Sequence, residues 1–596
     1  MSRIALKPLL LAVAVACGAS ASVHAADDAA TRVKALNALL AEQWEYTLKH
    51  QPEFATMLGD YRYNDRWSDA SPAAAQQQKK DNEAFLARFK TIDTSGFDEQ
   101  DRLNQQLMLR QLSDNIRTVE LKLNEMPLDQ FNGVHLMLPQ FVSMVPFETS
   151  KQYEEYLARL NALPALFEQI TETLRQGEKD KMLPPRFLLE KVVTQMRDIA
   201  KPAGEDSVFG HPVAKFPDGV AAADRKRLHD AILKAVDEKV RPAYTKLADF
   251  VEKDYAPKGR TEPGMWALPN GDALYKFSVE QQTTTNKSPQ EIHDLGLAEV
   301  KRIEGEQLKI AQKQGYKDLK TFREAMNKDP KTHATSRQQI VDLYKKYIAQ
   351  MEPKLPQLFG TLPKAKVEVV AIPAYMAANQ AQAYYEQGTP DGKRPGRVNI
   401  NTYNFADRSL TDAETVAYHE GIPGHHLQIS VQQELKDLPP FRQQAYYTAY
   451  TEGWGLYAER LGKEVGFYQD PYSDYGRLEA DMWRAIRLVV DTGVHSQHWT
   501  RQQMVDFFHT HSTLDETNIQ SEVDRYIAWP AQALGYKMGQ LEILALRDKA
   551  QKALGQKFDL HAFHDVVIDS GALPMDTLEK EINAWIAAQS GTAAAK

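Results

Sequence analysis

The stretch His419-Glu420-Gly421-Ile422-Pro423-Gly424-His425-His426 (HEGIPGHH) reads as a metallopeptidase signature with extra residues in it. In the common form, two histidines four apart on a helix stack about 6 Å apart along its axis. A glutamate beside the first histidine takes a proton from a metal-activated water. Here the fourth position after His419 is Pro423. Proline lacks an amide hydrogen and clashes with the preceding turn, so it kinks or widens a helix. Gly424 permits unusual backbone. On a straight helix His426 would stand about 10.5 Å above His419, a poor reach for one ion. A widened turn brings His425 near the usual place of the second ligand, with His426 the alternative. One histidine on an apolar helix is ordinarily structural. Three with a glutamate in eight residues point to metal, and zinc suits that donor set.

Working outward, Thr411-Asp412-Ala413-Glu414 reads as a capping box that starts the helix carrying His419. Upstream lie three short strand signals, Lys366 to Ile372, Gln382 to Tyr385 and Arg397 to Thr402, separated by Gly and Pro. In the last, Val398 and Ile400 alternate with Asn399 and Asn401, which read as solvated strand-face residues or as contacts to substrate. A sheet edge beside a metal helix can take up an extended peptide as an added strand.

Downstream, Tyr450-Thr451-Glu452-Gly453-Trp454-Gly455 falls on a predicted helix, Phe441 to Leu461. Glu452 shares a face with Ala449 and Leu456. A carboxylate on an apolar face needs a partner, either an arginine or a metal. A catalytic metal site keeps three protein ligands and an open position, and Glu452 can be the third. Gly453 and Gly455 permit close approach of another chain segment, and Glu459 is placed to orient a ligand from behind. For a hydrogen-bond donor to the developing oxyanion, Tyr526, Tyr536 and His495 are the candidates, with His498 beside the last. Each also reads as an ordinary core aromatic or helix-end group. Arg484, Arg487, Arg525 and Lys537 are candidate anchors for a substrate carboxylate or, equally, members of salt bridges.

Together HEGIPGHHLQ, YTEGWGLYAE, RYIAWPAQALGYKMG and FHDVVIDSGALP resemble the bacterial "domain of unknown function 885" family, over about Asp27 to Ala588. That family is grouped with the glutamate-zincin metallopeptidases. The resemblance implies a mainly α, large helical metallopeptidase-like fold with a deep groove and a small β-sheet next to the zinc helix. It implies zinc held by His419, one of the paired histidines and Glu452, with Glu420 as general base.

The rest of the chain agrees with a mostly helical reading. Residues 31 to 60 and 99 to 125 carry apolar side chains at helical spacing. Ser288-Pro289-Gln290-Glu291 is a strong helix start. Pro257 to Gly271 is the expected boundary between an N-terminal helical half, 26–265, and a catalytic half, 266–596. Residues 1–25 read as a signal peptide: Arg3 and Lys7, an apolar run from Leu9 to Ala16, and Val23-His24-Ala25 before the cut. The expected location is periplasmic or secreted. Cys17, the one cysteine, makes lipidation and membrane attachment the alternative.

The chain has 596 residues and a net charge of −8. Loss of Arg3 and Lys7 would take that to −10, so no basic footprint for nucleic acid is present. No G-x-S-x-G elbow in suitable context, dinucleotide fingerprint or phosphate loop appears. The function expected is an exported zinc metallopeptidase, and the deep groove that the family resemblance implies points to short peptides as its substrates. The alternatives are a non-catalytic exported metal- or peptide-binding lipoprotein, and a zinc amidase with a non-peptide substrate. An iron facial triad is disfavoured because such sites sit on β-barrels.

Overall fold

The computed structural model describes residues 20–372, 381–389 and 394–591. Cys17 and the leader's apolar run lie outside them, as do residues 592–596. Helices dominate, with one three-stranded sheet, which is the class the hydrophobic spacing implied.

The chain divides into two compact units. One comprises Met1–Pro127, Pro139–Gln176 and Pro202–Ala243; the other comprises Leu128–Leu138, Gly177–Lys201 and Tyr244–Lys596. The proline- and glycine-rich stretch 257–271 lies inside the second unit.

The first unit is built on paired helices. Pro72–Lys90 and Glu99–Glu120 pack together through Phe85, Phe89, Leu103, Leu107 and Leu112. Each is capped as its sequence asks: Ser71 accepts from the Ala74 N–H, and Asp98 from the Asp101 N–H.

The second unit holds the histidine motif. Its long helix Pro471–Ser496 has Met482, Ala485, Ile486, Leu488, Val489, Val490 and Val494 wholly buried. Apolar residues on every face make a helix a core element, not a surface one. It runs against Pro289–Lys313, whose capping box forms as predicted, with Ser288 and Glu291 satisfying each other's backbone N–H. Gly296 makes that contact close, since a Cβ there would meet Leu488 Cβ at 2.7 Å. A second tight pair is Thr448–Glu464 against Leu534–Leu554. There Gly453 and Gly539 touch, and a Cβ on Gly453 would lie 2.5 Å from Gly539 Cα.

The sheet has β1 (Val367–Ala371), β2 (Ala383–Glu386) and β3 (Gly396–Ile400) in the order β1-β3-β2. Central β3 pairs parallel with β1 and antiparallel with β2. Both faces of β3 are covered, since Val398, Asn399 and Ile400 are all buried, and so is Asn401 just after it. The two asparagines are therefore not a solvated strand face. Asn401 accepts from the Tyr403 N–H, and the Asn399 amide nitrogen has no partner among the described residues.

Candidate functional site

The His419 helix spans Ala413–Glu420 and starts where the sequence placed it, but not by the expected capping box. Thr411 bonds through its hydroxyl to Ser409, and the N-cap Asp412 accepts from the side chain of Gln382 instead. Glu414 is buried and turned away from the helix start. It accepts from the Tyr418 hydroxyl at 3.0 Å, from the Tyr468 N–H at 3.2 Å and from the Ser473 hydroxyl. Its carboxylate thus ties the motif helix to the helix that follows Asp470.

The motif is not one widened helix. The first helix ends at Glu420, the Ile422–Pro423 peptide is cis, and a second helix begins at His425 and runs to Glu434. Pro423 offers no N–H to continue the ladder. Gly424 lies on the end of the first helix, where a Cβ would come within 1.9 Å of the His419 carbonyl oxygen, so no other residue fits there. Trp454 clasps the turn by donating its indole N–H to the Pro423 carbonyl at 2.9 Å. Since Trp454 is two residues after Glu452, the same contact sets the turn beside the carboxylate.

That fold-back brings His425 against His419, with ring centroids 4.6 Å apart and planes at 84°. Glu452 Oε2 stands 3.5 Å from His419 Nε2 and 3.5 Å from His425 Nε2. His419, Glu420 and His425 also each place a donor atom within 4.8 Å of the others. Behind His419, Glu459 accepts from Nδ1 at 2.8 Å and is itself held by the Thr415 hydroxyl at 2.9 Å. With Nδ1 held by Glu459, Nε2 faces Glu452, which is the ring orientation a metal-binding imidazole needs once that nitrogen gives up its proton. Gly455 makes room for this ring: a Cβ there would lie 2.6 Å from His419 Cε1.

The electrostatics are those of a desolvated acid–base cluster. Burial raises the Glu420 carboxyl above its ordinary value, against the opposing pull of His425 and His419. Burial would raise Glu452 too, but hydrogen bonds to the two imidazoles hold it well below the usual carboxylate range. His419 loses basicity by burial and regains more from Glu452 and Glu459, ending at about 9. Two carboxylates set against two imidazoles, with Glu452 held as the anion, have the chemical character of a cation site.

Other expected residues fall elsewhere. His426 points away from the cluster. Tyr385 OH lies 3.1 Å from its Nδ1, the Ala365 carbonyl lies 3.1 Å from its Nε2, and burial lowers it to about 4. Starting a new helix at His425 turns the next residue onto another face, here toward the sheet. His495 is wholly buried, accepts from the Met265 N–H on Nδ1 and donates from Nε2 to the Tyr526 carbonyl. Both nitrogens are spent on backbone, so it is a core histidine and not an oxyanion donor. His498 stacks on Trp266. The Tyr526 hydroxyl donates to Glu522 and accepts from Trp483 at 3.2 Å and Arg487 at 3.0 Å, which also leaves it nothing to offer.

Tyr536 stays near the cluster. Burial and the charge of Glu452 both raise its phenol, and Arg487 sits 4.5 Å over its ring. A residue that sequence reasoning missed is Tyr446, whose hydroxyl donates to Glu452 Oε1 at 3.0 Å although the residue as a whole is 58% exposed. Its sole sequence signal was a run of tyrosines just ahead of the Glu452 helix. Lys537 is taken up by Asp481 at 2.5 Å and Glu299 at 3.0 Å, a buried structural pair.

The donor set suits a divalent ion. With metal–ligand distances of about 2.0–2.1 Å in tetrahedral geometry, neighbouring donor atoms stand about 3.3–3.4 Å apart. The two 3.5 Å spacings to Glu452 Oε2 are close to that before any adjustment. His419, His425 and Glu452 would be the ligands, with Glu459 behind the first and Glu420 free beside them.

Fold and cluster together define a mainly helical protein with a paired-histidine, carboxylate centre on two antagonistic helix ends. The chain belongs to the family described as bacterial protein of unknown function (DUF885), which matches residues 52–582. It is similar to a presumptive lipoprotein of Colwellia psychrerythraea, at 30% identity and a TM-score of 0.88, over 93% of this chain and 99% of that one. It also shares the fold of a presumptive lipoprotein of unknown function from Shewanella oneidensis. That match has 17% identity and a TM-score of 0.68 over 91% and 98% of the two chains. No curated protein matches.

Proposed function

We propose that the protein is an exported metallopeptidase, with zinc as its metal and amide bonds of short peptides as its target. The observation that supports this most is the convergence of His419, His425 and Glu452 at 3.5 Å spacing with a free, half-buried Glu420 beside them. A bound divalent ion would supply Lewis-acid polarisation and make water acidic enough to be a nucleophile near neutral pH.

The protein's own groups complete the chemistry. Glu420 has a raised affinity for protons, so it is a competent base for the attacking water and a competent acid for the leaving amine. Tyr446 and Tyr536 are the phenols at the cluster that can donate a hydrogen bond to a carbonyl oxygen gaining negative charge. Glu459 holds His419 in one tautomer throughout. The leader-like start of the chain, and relatives described as lipoproteins, support export. No helix among the described residues is long and apolar enough to cross a membrane.

The test is metal analysis followed by digestion of a peptide library, for the wild type and for Glu420→Gln. The expected outcome is about one zinc per chain in both, with cleavage in the wild type reduced at least a hundredfold in the variant. A metal-free protein, or a variant as active as the wild type, would overturn the proposal. Retained metal with no cleavage would make it a binding protein.

A further inference from the structure

The four cations that the sequence offers around this site meet different fates. Lys537 is neutralised by Asp481 and Glu299. Arg525 bonds to Glu522 at 3.1 Å and to Gln532 at 3.1 Å. Arg487 bonds to the same Glu522 at 3.3 Å and to Tyr526 at 3.0 Å. Arg484 is different. It is buried to 9% exposure on the helix Pro471–Ser496, and no carboxylate among the described residues forms an ion pair with it. One edge of its guanidinium bonds to its own helix at the Ala480 carbonyl, 3.2 Å away, and its Nε has no acceptor.

The surroundings place this idle cation at the cluster. Arg484 and Arg487 flank the Trp483 ring at 4.9 and 4.7 Å. Arg487 then covers Tyr536, which senses Glu452. The charged groups that sense Arg484 are Asp412 and Glu420, at the two ends of the His419 helix; neither closes an ion pair with it. Two of the three buried guanidiniums, Arg487 and Arg525, share ion pairs with one carboxylate, Glu522, and Arg484 has no part in that pairing. A buried charge without a partner is expensive to keep, and guanidinium is the side chain best shaped to take a carboxylate by two parallel hydrogen bonds.

We propose that Arg484 receives the free carboxylate at the C-terminal end of a short peptide, so that the enzyme cleaves from that end. This rests on the amide-hydrolysis reading above and names its substrate class. It assigns Arg487 and Arg525 to a structural network and leaves Arg484 as the group that distinguishes a peptide acid from a peptide amide.

The experiment is calorimetric binding of N-acetyl tripeptides, in matched free-acid and C-terminal amide forms, to zinc-loaded Glu420→Gln protein. The same pairs are digested by the wild type. The acids are expected to bind about 10- to 100-fold more tightly than the amides, as a charge-assisted bidentate contact allows. In Glu420→Gln/Arg484→Met that gap should fall below about threefold, and Arg484→Lys should restore part of it. Circular dichroism melts establish that each variant is folded. Equal binding of acid and amide, or a gap that survives Arg484→Met, overturns carboxylate docking even if the wild type cleaves peptides. Metal retained with neither binding nor cleavage of any peptide overturns both proposals.

Discussion

Gly455→Ala is a small change with a large expected effect on the metal centre. A Cβ at 455 would stand 2.6 Å from His419 Cε1, 2.8 Å from Nε2 and 2.9 Å from Nδ1. Carbon contacts settle near about 3.5 Å, so the imidazole has to retreat by roughly 0.7–0.9 Å. It cannot slide freely, because Glu459 holds Nδ1 at 2.8 Å and the ring is fully enclosed. The ring must tilt about that bond, and Nε2, the atom facing Glu452, moves most. Metal sites tolerate about 0.2–0.5 Å. Zinc affinity should therefore fall about 10- to 100-fold, as when a supporting partner of a ligand is lost. Fold stability is a poorer readout, since two terms compete. Alanine gains about 1 kcal/mol over glycine inside a helix, while overpacking costs about 1–3 kcal/mol. The net is about 0–2 kcal/mol of destabilisation in the metal-free protein. Gly305→Ala is the control, because nothing lies within 4 Å of its Cβ position on the exposed face of its helix, so it should gain up to about 1 kcal/mol and leave zinc affinity unchanged. Zinc affinity is read by competition with a chromophoric chelator. Wild-type affinity in Gly455→Ala would refute the packing argument and with it the assignment of His419 as a ligand.

Glu459→Gln keeps the shape behind His419 but removes the charge, and should weaken zinc about 10- to 100-fold while the melting temperature of the apoprotein changes little; unchanged affinity would show that Glu459 is only a packing partner. Acid should unfold the protein early. Burial holds His135, His426 and His564 at about 4 and His495 at about 3, so all four are neutral when folded. A lowered folded pKa means stability that is complete above the unfolded value of about 6.5 and lost as pH falls toward the folded one. Burial raises Asp491 to about 7 and opposes one of the four, since a folded carboxyl that takes up a proton early gains stability on acidification. Three uncompensated groups give a slope of about 4 kcal/mol per pH unit near pH 5. Urea midpoints at pH 7, 6, 5 and 4.5 measure it, and a flat curve across that range would contradict the neutral assignment.

What could be read from the chain ahead of its structure was local. The Ser288 capping box, the three strands and the two glycines of the Glu452 helix each carry their physics within a few residues. Even there the partner was hidden: Gly453 makes room for Gly539, whereas Gly455 makes room for a histidine ring some thirty-six residues earlier in the chain. The reading failed where a residue had a distant partner stronger than its neighbour. Glu414 had the spacing of a capping box, but Ser473 and the Tyr468 backbone outbid Thr411 for it. Tyr526 and His495 looked available because spacing does not reveal that Glu522, Met265 and a backbone carbonyl already hold them.

Pro423 shows how such a distant partner decides the site. Proline alone explains why the first helix stops, but not why the chain turns back instead of continuing at an angle. Two contacts supply the direction: Gly424 lying on the His419 carbonyl, and the Trp454 indole on the Pro423 carbonyl. The second comes from the helix that also carries Glu452, so the group that bends the motif and the carboxylate that faces it are two residues apart. Restarting the helix at His425 gives consecutive histidines opposite tasks. His425 faces Glu452, and His426 is spent on Tyr385 and the Ala365 carbonyl, anchoring the sheet to the second motif helix. A motif with its second histidine displaced by two residues thus needs no longer reach, because the chain, and not the side chain, covers the distance.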